Sequence, residues 1–311
     1  MTDLQVRKMR FAFADYDVPF LWNEANPAFS SMANAVSLLA IGFEKMIVNM
    51  IREAMPRITH PAVAAEADAF VRQEGQHSTA HRQHANALIR RYPGLQETLN
   101  EVIAEFDRLT VHTSLEYRLA YTADLEATFT PVFKLMLDND ATLFRPGDDR
   151  VASLFIWHFV EEVEHRSSAL IIFDSMVGSD AYRMRMAPSI FRHVMKVIQV
   201  ACAGFNKHVP LEDRGIDALA MFATHRGKQK LRKWLRLPVE DNGPMSRAFD
   251  DLRLGEQLIA LVGIIRSQLP RHNPDHEKLP ALADVWFERY NAGYDVSHWY
   301  TADTAAAPQG D

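Results

Sequence analysis

Cysteine is almost missing from these 311 residues; Cys202 is the only one. No intramolecular disulfide can form and no thiolate cluster can hold a metal, so any metal site must use His, Asp and Glu. Glycine and proline are few, 13 and 15, and fall mostly between long apolar-periodic runs, which leaves little room for a turn-rich β fold. Positive charge is not in excess. The formal net charge of −6 argues against a general nucleic-acid binder, because phosphate attraction wants a basic face. The most apolar stretch, 35–51, carries Glu44 and Lys45 in its middle and does not read as a membrane span. The opening residues MTDLQVRKMR have no apolar stretch behind their charges, which argues against a cleaved signal peptide. The expectation is a cytoplasmic protein with no membrane span and no nucleic-acid partner.

What is there is helix-forming sequence with enough apolar residues, 48%, to bury a sizeable core. The leader up to Asn26-Pro27 is mixed and aromatic-rich, an irregular arm packed on the rest. Helical periodicity then predicts a first helix over 30–55 and a second over 61–92, with Thr59 as its N-cap and Pro93-Gly94 as its end. A shorter amphipathic helix over 95–109 reads as a crossover. Thr113 followed by Glu116 is a capping-box pattern opening a helix to Leu137, kinked at Pro131. A fourth long helix covers 149–176, and further helical segments cover 182–205 and 216–294. No strand-period alternation is visible. The fold class expected is all-α: a four-helix bundle over about 28–178 with additional C-terminal helices over about 179–300. Together they form one helical domain, followed by a disordered polar tail, 301–311.

Two Glu-x-x-His words carry the chemistry, Glu74-Gly-Gln-His77 and Glu162-Val-Glu-His165. Residues three apart on a helix share a face, so each word aims a carboxylate and an imidazole at one point. Alone, either word reads more readily as a solvated helix face. Spacing changes that. Glu44 lies 30 residues before Glu74 and Glu126 lies 36 before Glu162, with a chain break near the middle of each interval. Each hairpin therefore sets a lone Glu level with a Glu-x-x-His, the ligand pattern of di-iron and di-manganese carboxylate bundles. Glu44 sits among core-type residues, SLLAIGFEKMIVNMI, where an unpaired carboxylate is costly unless it is neutralised or binds a cation. Asp124 and Glu116 compete with Glu126 but are less level with Glu162.

On the fourth helix, His158 shares the face of Glu162 and His165, giving seven candidate metal ligands: Glu44, Glu74, His77, Glu126, His158, Glu162 and His165. Glu161 and His81 are candidates for outer partners that hold an imidazole tautomer or take part in catalysis. Glu164 points away and reads as solvated; His60, His84 and His112 read as ordinary surface or core histidines. Carboxylates and imidazoles without thiolate suit two iron ions, with manganese or zinc as alternatives.

These segments resemble the bacterial family of predicted metal-dependent hydrolases. The likeness is carried by FEKMIV at Glu44, FVRQEGQHSTAHRQHA around Glu74–His84, and WHFVEEVEHRSSA around His158–His165, and it extends over roughly 16–294. That family commonly has a histidine directly after the third-helix glutamate, whereas here Ala127 follows Glu126. The His-x-x-x-Glu-x-x-His run is also similar to that of the di-iron arylamine N-oxygenases, in which the extra histidine is a metal ligand. This second likeness implies the ferritin-like fold and suggests dioxygen chemistry.

The function expected first is a di-iron oxidase or oxygenase of a small, largely apolar organic substrate, with dioxygen as co-substrate. Its channel would be lined by residues such as Phe43, Met46, Phe70, Phe129, Phe133, Phe155 and Phe159. The alternative is a metal-dependent hydrolase using a metal-bound hydroxide, with Glu161 as proton acceptor. A non-catalytic metal-storage protein is a third reading, made awkward by the long segment after the fourth helix. The stretches 184–186 and 191–205 leave room for a homodimer.

Overall fold

The computed structural model describes residues 4–239 and 241–301, so the tail expected to be disordered lies outside the described residues apart from Thr301. The described residues contain no strand. Helix α1 (Pro27–Ala54) opens at Asn26, whose side chain accepts from the Phe29 amide, with Pro27 in the first turn, where it has no bond to lose. Helix α2 (Pro61–Arg91) returns antiparallel. Its cap is His60, without a side-chain bond, rather than the predicted Thr59; Pro61 alone sets the first turn. The crossover α3 (Leu95–His112) packs on α1, where Gly42 leaves room for the Phe106 ring.

Helix α4 (Leu115–Leu137) keeps Pro131 inside it and is capped by Ser114, not by the predicted Thr113, because the Ser114 hydroxyl is the one that reaches the Tyr117 amide. A one-turn α5 (Asp140–Leu143) leads to α6 (Asp149–Glu164), capped by Asp148 on two amides. The predicted fourth helix is not continuous. It breaks at His165–Ser167 and resumes as α7 (Ser168–Met176), with the Ser168 amide bonded to the His165 carbonyl. Helices α1, α2, α4 and α6–α7 form the four-helix bundle.

Helix α8 (Asp180–His208) packs across α1, α3 and α4. The one-turn α9 (Leu211–Arg214), α10 (Ala223–Trp234), α11 (Leu254–Ser267) and α12 (Ala281–Asn291) complete the C-terminal layer. The N-terminal arm is irregular, as expected, and buries Phe11, Phe13, Phe20 and Trp22 in the core. One helical stretch, Pro27–Arg57, is long and apolar enough to cross a membrane by length and composition, but 78% of its apolar window is buried inside the bundle. That is the burial of a core helix.

Candidate metal centre

Seven side chains singled out by spacing converge in the middle of the bundle: Glu44 from α1, Glu74 and His77 from α2, Glu126 from α4, His158 and Glu162 from α6, and His165 from the break that ends it. All are buried. Glu162 is central. Its Oε1 lies 2.9 Å from His158 Nε2 and 3.4 Å from His77 Nδ1, while its Oε2 lies 3.0 Å from His165 Nε2. The donor atoms thus divide between two sides. On one, Glu74, Glu126, Glu162 and His165 each offer an atom within 4.8 Å of the others. On the other stand His77, His158 and Glu44, with Glu162 and Glu74 again in reach. His158 Nε2 is 3.5 Å from Glu44, and His165 Nε2 is 3.2 Å from Glu74 and 3.8 Å from Glu126.

Charge shows the strain of this crowding. Burial, and then the neighbouring carboxylates, hold Glu44 and Glu126 well above the usual carboxylate range and push Glu74 up to about 7. Burial also opposes charge on Glu162, but His165, His158 and His77 outweigh it and hold that carboxyl well below its ordinary value. Among the imidazoles, burial followed by His77 lowers His158 to about 4. His77 and His165 are raised instead, because their carboxylate neighbours overcome the burial that would lower them.

Six inward-facing atoms have no hydrogen-bond partner: Glu44 Oε2, both oxygens of Glu74, both of Glu126, and His77 Nδ1. Orphaned polar atoms cost stability in a dry interior. Their convergence on one point, from oxygen and imidazole donors only, is what a hard-to-borderline metal ion would satisfy. The residues fit a metal.

The surrounding bonds add partners that spacing missed. His77 Nε2 meets Glu161 Oε2 at 2.8 Å, so Glu161 is the outer partner expected of it. Glu161 in turn accepts from Arg7 at 2.9 Å. His165 Nδ1 lies 3.1 Å from Gln73 Oε1, Gln73 Nε2 donates to Glu164 at 2.8 Å, and Glu164 accepts a second pair of bonds from Arg7. Arg7 therefore anchors both Glu-x-x-His histidines through two separate relays. Its guanidinium lies 4.7 Å over the Phe287 ring of α12, which covers it. Glu164 is not solvated, contrary to its position on the helix wheel, because the arm folds over that face and brings Arg7 to it. His81 Nε2 meets His158 Nδ1 at 2.8 Å, and Ser37 Oγ links His81 and His84, each at 2.9 Å. Gln73 and Ser37 could have been found on the helix wheel, four residues before His77 and seven before Glu44. Arg7 left no periodic signal.

Asp124 and Glu116 stay apart from the cluster; Asp124 pairs with Arg183 of α8 at 2.9 Å and Glu116 faces solvent. His84 is core, and His60 and His112 are exposed.

A cavity of about 510 Å³ opens on the cluster at Glu44, Glu74, His158 and Glu162. Phe43, Phe129 and Phe133 line it as expected, and α8 and α11 close it with Ile190, Phe191, Val194 and Ile264. Met46, Phe70, Phe155 and Phe159 do not line it. Phe70 packs 5.0 Å from the His165 ring, Phe155 5.6 Å from His81 and Phe159 4.0 Å from Phe133, so they shape the imidazoles and the core instead. Met46 is simply buried.

No curated protein and no solved structure matches the chain. The family model described as predicted metal-dependent hydrolase matches residues 5–245, which spans every residue of the cluster and of the Arg7 relays; the chain belongs to that family.

Proposed function

We propose that this family member is a dinuclear metal enzyme, best read as a di-iron oxidase or oxygenase of a small apolar organic molecule. The observation that carries the two-metal reading is Glu162, whose two oxygens face opposite histidines. A carboxylate placed so could be shared by two ions. Four carboxylates, Glu44, Glu74, Glu126 and Glu162, would then balance two divalent cations, which would offset the burial and mutual repulsion that raise Glu44, Glu74 and Glu126. Glu126 and His165 would complete one ion; Glu44, His77 and His158 the other; Glu74 would reach both. When the ions are iron, such a pair supplies dioxygen activation.

The protein's own groups fix the donors. With His77 binding through Nδ1, its Nε2–H donates to Glu161. With His165 binding through Nε2, its Nδ1–H donates to Gln73. With His158 binding through Nε2, its Nδ1–H donates to His81, and His81 Nδ1–H to Ser37. One consistent set of tautomers serves all three imidazoles.

The cavity favours oxidation over hydrolysis. An ester, amide or phosphate needs polar donors for its developing charge. Apart from the cluster, the polar side chains lining the inner wall are Thr128, Asp124 and Gln268, and each is already engaged: Thr128 by the Leu125 carbonyl, Asp124 through one oxygen by Arg183, and Gln268 by the Asp124 carbonyl. An uncharged apolar substrate fits such a wall. The free Asp124 Oδ2 would accept from a single donor group on it.

Iron-loaded protein, prepared without oxygen and mixed with dioxygen in stopped flow, is expected to bind two irons per chain and to convert them to a coupled diferric state by Mössbauer spectroscopy. Absence of any reaction with dioxygen would sink the oxidase reading. The family description favours the second reading, a metal-dependent hydrolase. Turnover of ester, amide or phosphate substrates under strict anaerobiosis would establish that one instead.

A further inference from the structure

The chain is acidic as a whole, yet one helix of the C-terminal layer is the reverse. From Ala218 to Val239 there is no Asp or Glu, and there are six Lys and Arg: Arg226, Lys228, Lys230, Arg232 and Lys233 within α10, and Arg236 just beyond it. Helix α10 turns its inner side, marked by buried Gln229, toward the protein. Its outer side carries Leu231, Trp234 and Leu235, at helical three- and four-residue spacing and 54%, 77% and 48% exposed. Lys228 and Lys230 are exposed on either flank of that apolar strip, and neither has an ion-pair partner among the described residues. A core helix hides its apolar strip; this one displays it between cations.

We propose that the outer face of α10 docks on an anionic lipid surface. The apolar strip would sink to the headgroup boundary while the lysines meet lipid phosphates, the arrangement of an interfacial amphipathic helix. Charge complementarity selects this occupant. The other exposed apolar helix, α11, displays Leu258, Ile259 and Val262 with only Glu256 and Arg266 as charged neighbours on the same helix, and nothing there favours an anionic partner. A surface of this kind would bring the chain to the phase in which apolar molecules of the class its cavity fits are dissolved, but the docking itself does not depend on the metal centre.

The fluorescence of Trp234 tests it directly. The other four tryptophans, Trp22, Trp157, Trp286 and Trp299, are at most 5% exposed, so vesicles shift and shield Trp234 selectively. The full-length, metal-free protein is titrated with vesicles of equimolar phosphatidylglycerol and phosphatidylcholine, and with phosphatidylcholine alone. The expected result is co-sedimentation, a blue shift and reduced acrylamide quenching with the anionic vesicles only, weakened by salt. Lys228→Glu with Lys230→Glu should lower the vesicle affinity by at least about tenfold. Trp234→Ser with Leu231→Ser should abolish co-sedimentation, while circular dichroism and the thermal midpoint stay as in the parent. The proposal is overturned by no vesicle binding, or by equal binding to neutral vesicles. Concentration-dependent dimerisation lost in the serine variant would assign the strip to a second copy instead. Binding to a DNA duplex that needs the lysines but not Trp234 would also overturn it.

Discussion

The two halves of the candidate metal centre are built on opposite principles. On the side of α2 and the end of α6, His77 and His165 are held at their far nitrogens by Glu161 and Gln73, and both lines end on the single guanidinium of Arg7. On the side of α1 and α4, Glu44 Oε2 and both oxygens of Glu126 have no hydrogen-bond partner, and Glu44 borders the cavity. The first wall is rigid before any ion arrives. The second is left unsatisfied, and it costs the protein stability until something positive comes. A site that must both fix a metal and admit a substrate needs one wall of each kind.

The largest expected effect breaks the division itself. Glu162 belongs to both sides, so on the two-metal proposal Glu162→Ala should abolish metal binding altogether, measured as metal per chain by mass spectrometry. Its effect on affinity should exceed the ~10–100-fold that loss of an outer partner costs. Next comes the rigid wall. Arg7→Met leaves buried Glu161 and partly buried Glu164 without their cation, and should destabilise metal-free and metal-loaded protein alike by about 3–5 kcal/mol in denaturant titrations. It should also weaken metal binding by about 10–100-fold.

The unsatisfied wall should respond with opposite sign in the two states. Glu126→Leu removes two orphaned oxygens and is expected to stabilise the metal-free protein by about 1–3 kcal/mol, while lowering metal content. A loss of stability in the metal-free state would show that this wall is satisfied without a cation. Its protons give the same test by pH. Glu74 is raised from an ordinary 4.5 to about 7, so the folded metal-free chain holds a proton that the unfolded chain releases earlier. The associated stability is present below about 4.5 and is lost as pH rises through 7. The thermal midpoint of metal-free protein should therefore fall between those pH values, whereas metal-loaded protein should not follow it. Glu162, shifted the other way, contributes only at the acid end. The smallest effect is Ser37→Ala, which removes the hydroxyl between His81 and His84. It should cost about 1 kcal/mol and leave the metal count unchanged.

The helices and the seven clustered side chains were legible because both obey the helical period and because each hairpin turn lies near the middle of its Glu-to-Glu interval. What escaped has no period. Arg7 sits in an arm without secondary structure and meets Glu161 and Glu164 across more than 150 residues of sequence. Glu164 looked solvated because a helix wheel shows direction but not what is laid over it. The helix break at His165 was hidden by an unbroken apolar pattern, and it moves the histidine to a helix end, where its carbonyl caps α7. The lining of the cavity was half legible: the aromatics were visible, but which of them faces the space depends on how α8 and α11 cross the bundle.

The position of Arg7 also sets an order of events. Its partners lie 154 and 157 positions further along the chain, so the arm finds its place only after they have found theirs. Closing so long a loop waits for α6 to be complete and packed on α2. Until the arm closes, the four carboxylates can assemble as a bundle core while the two histidine relays hang open. The arm therefore works as a late clasp: a bundle that has collapsed has not yet fixed its imidazoles, and the candidate centre is finished only when the arm closes over it.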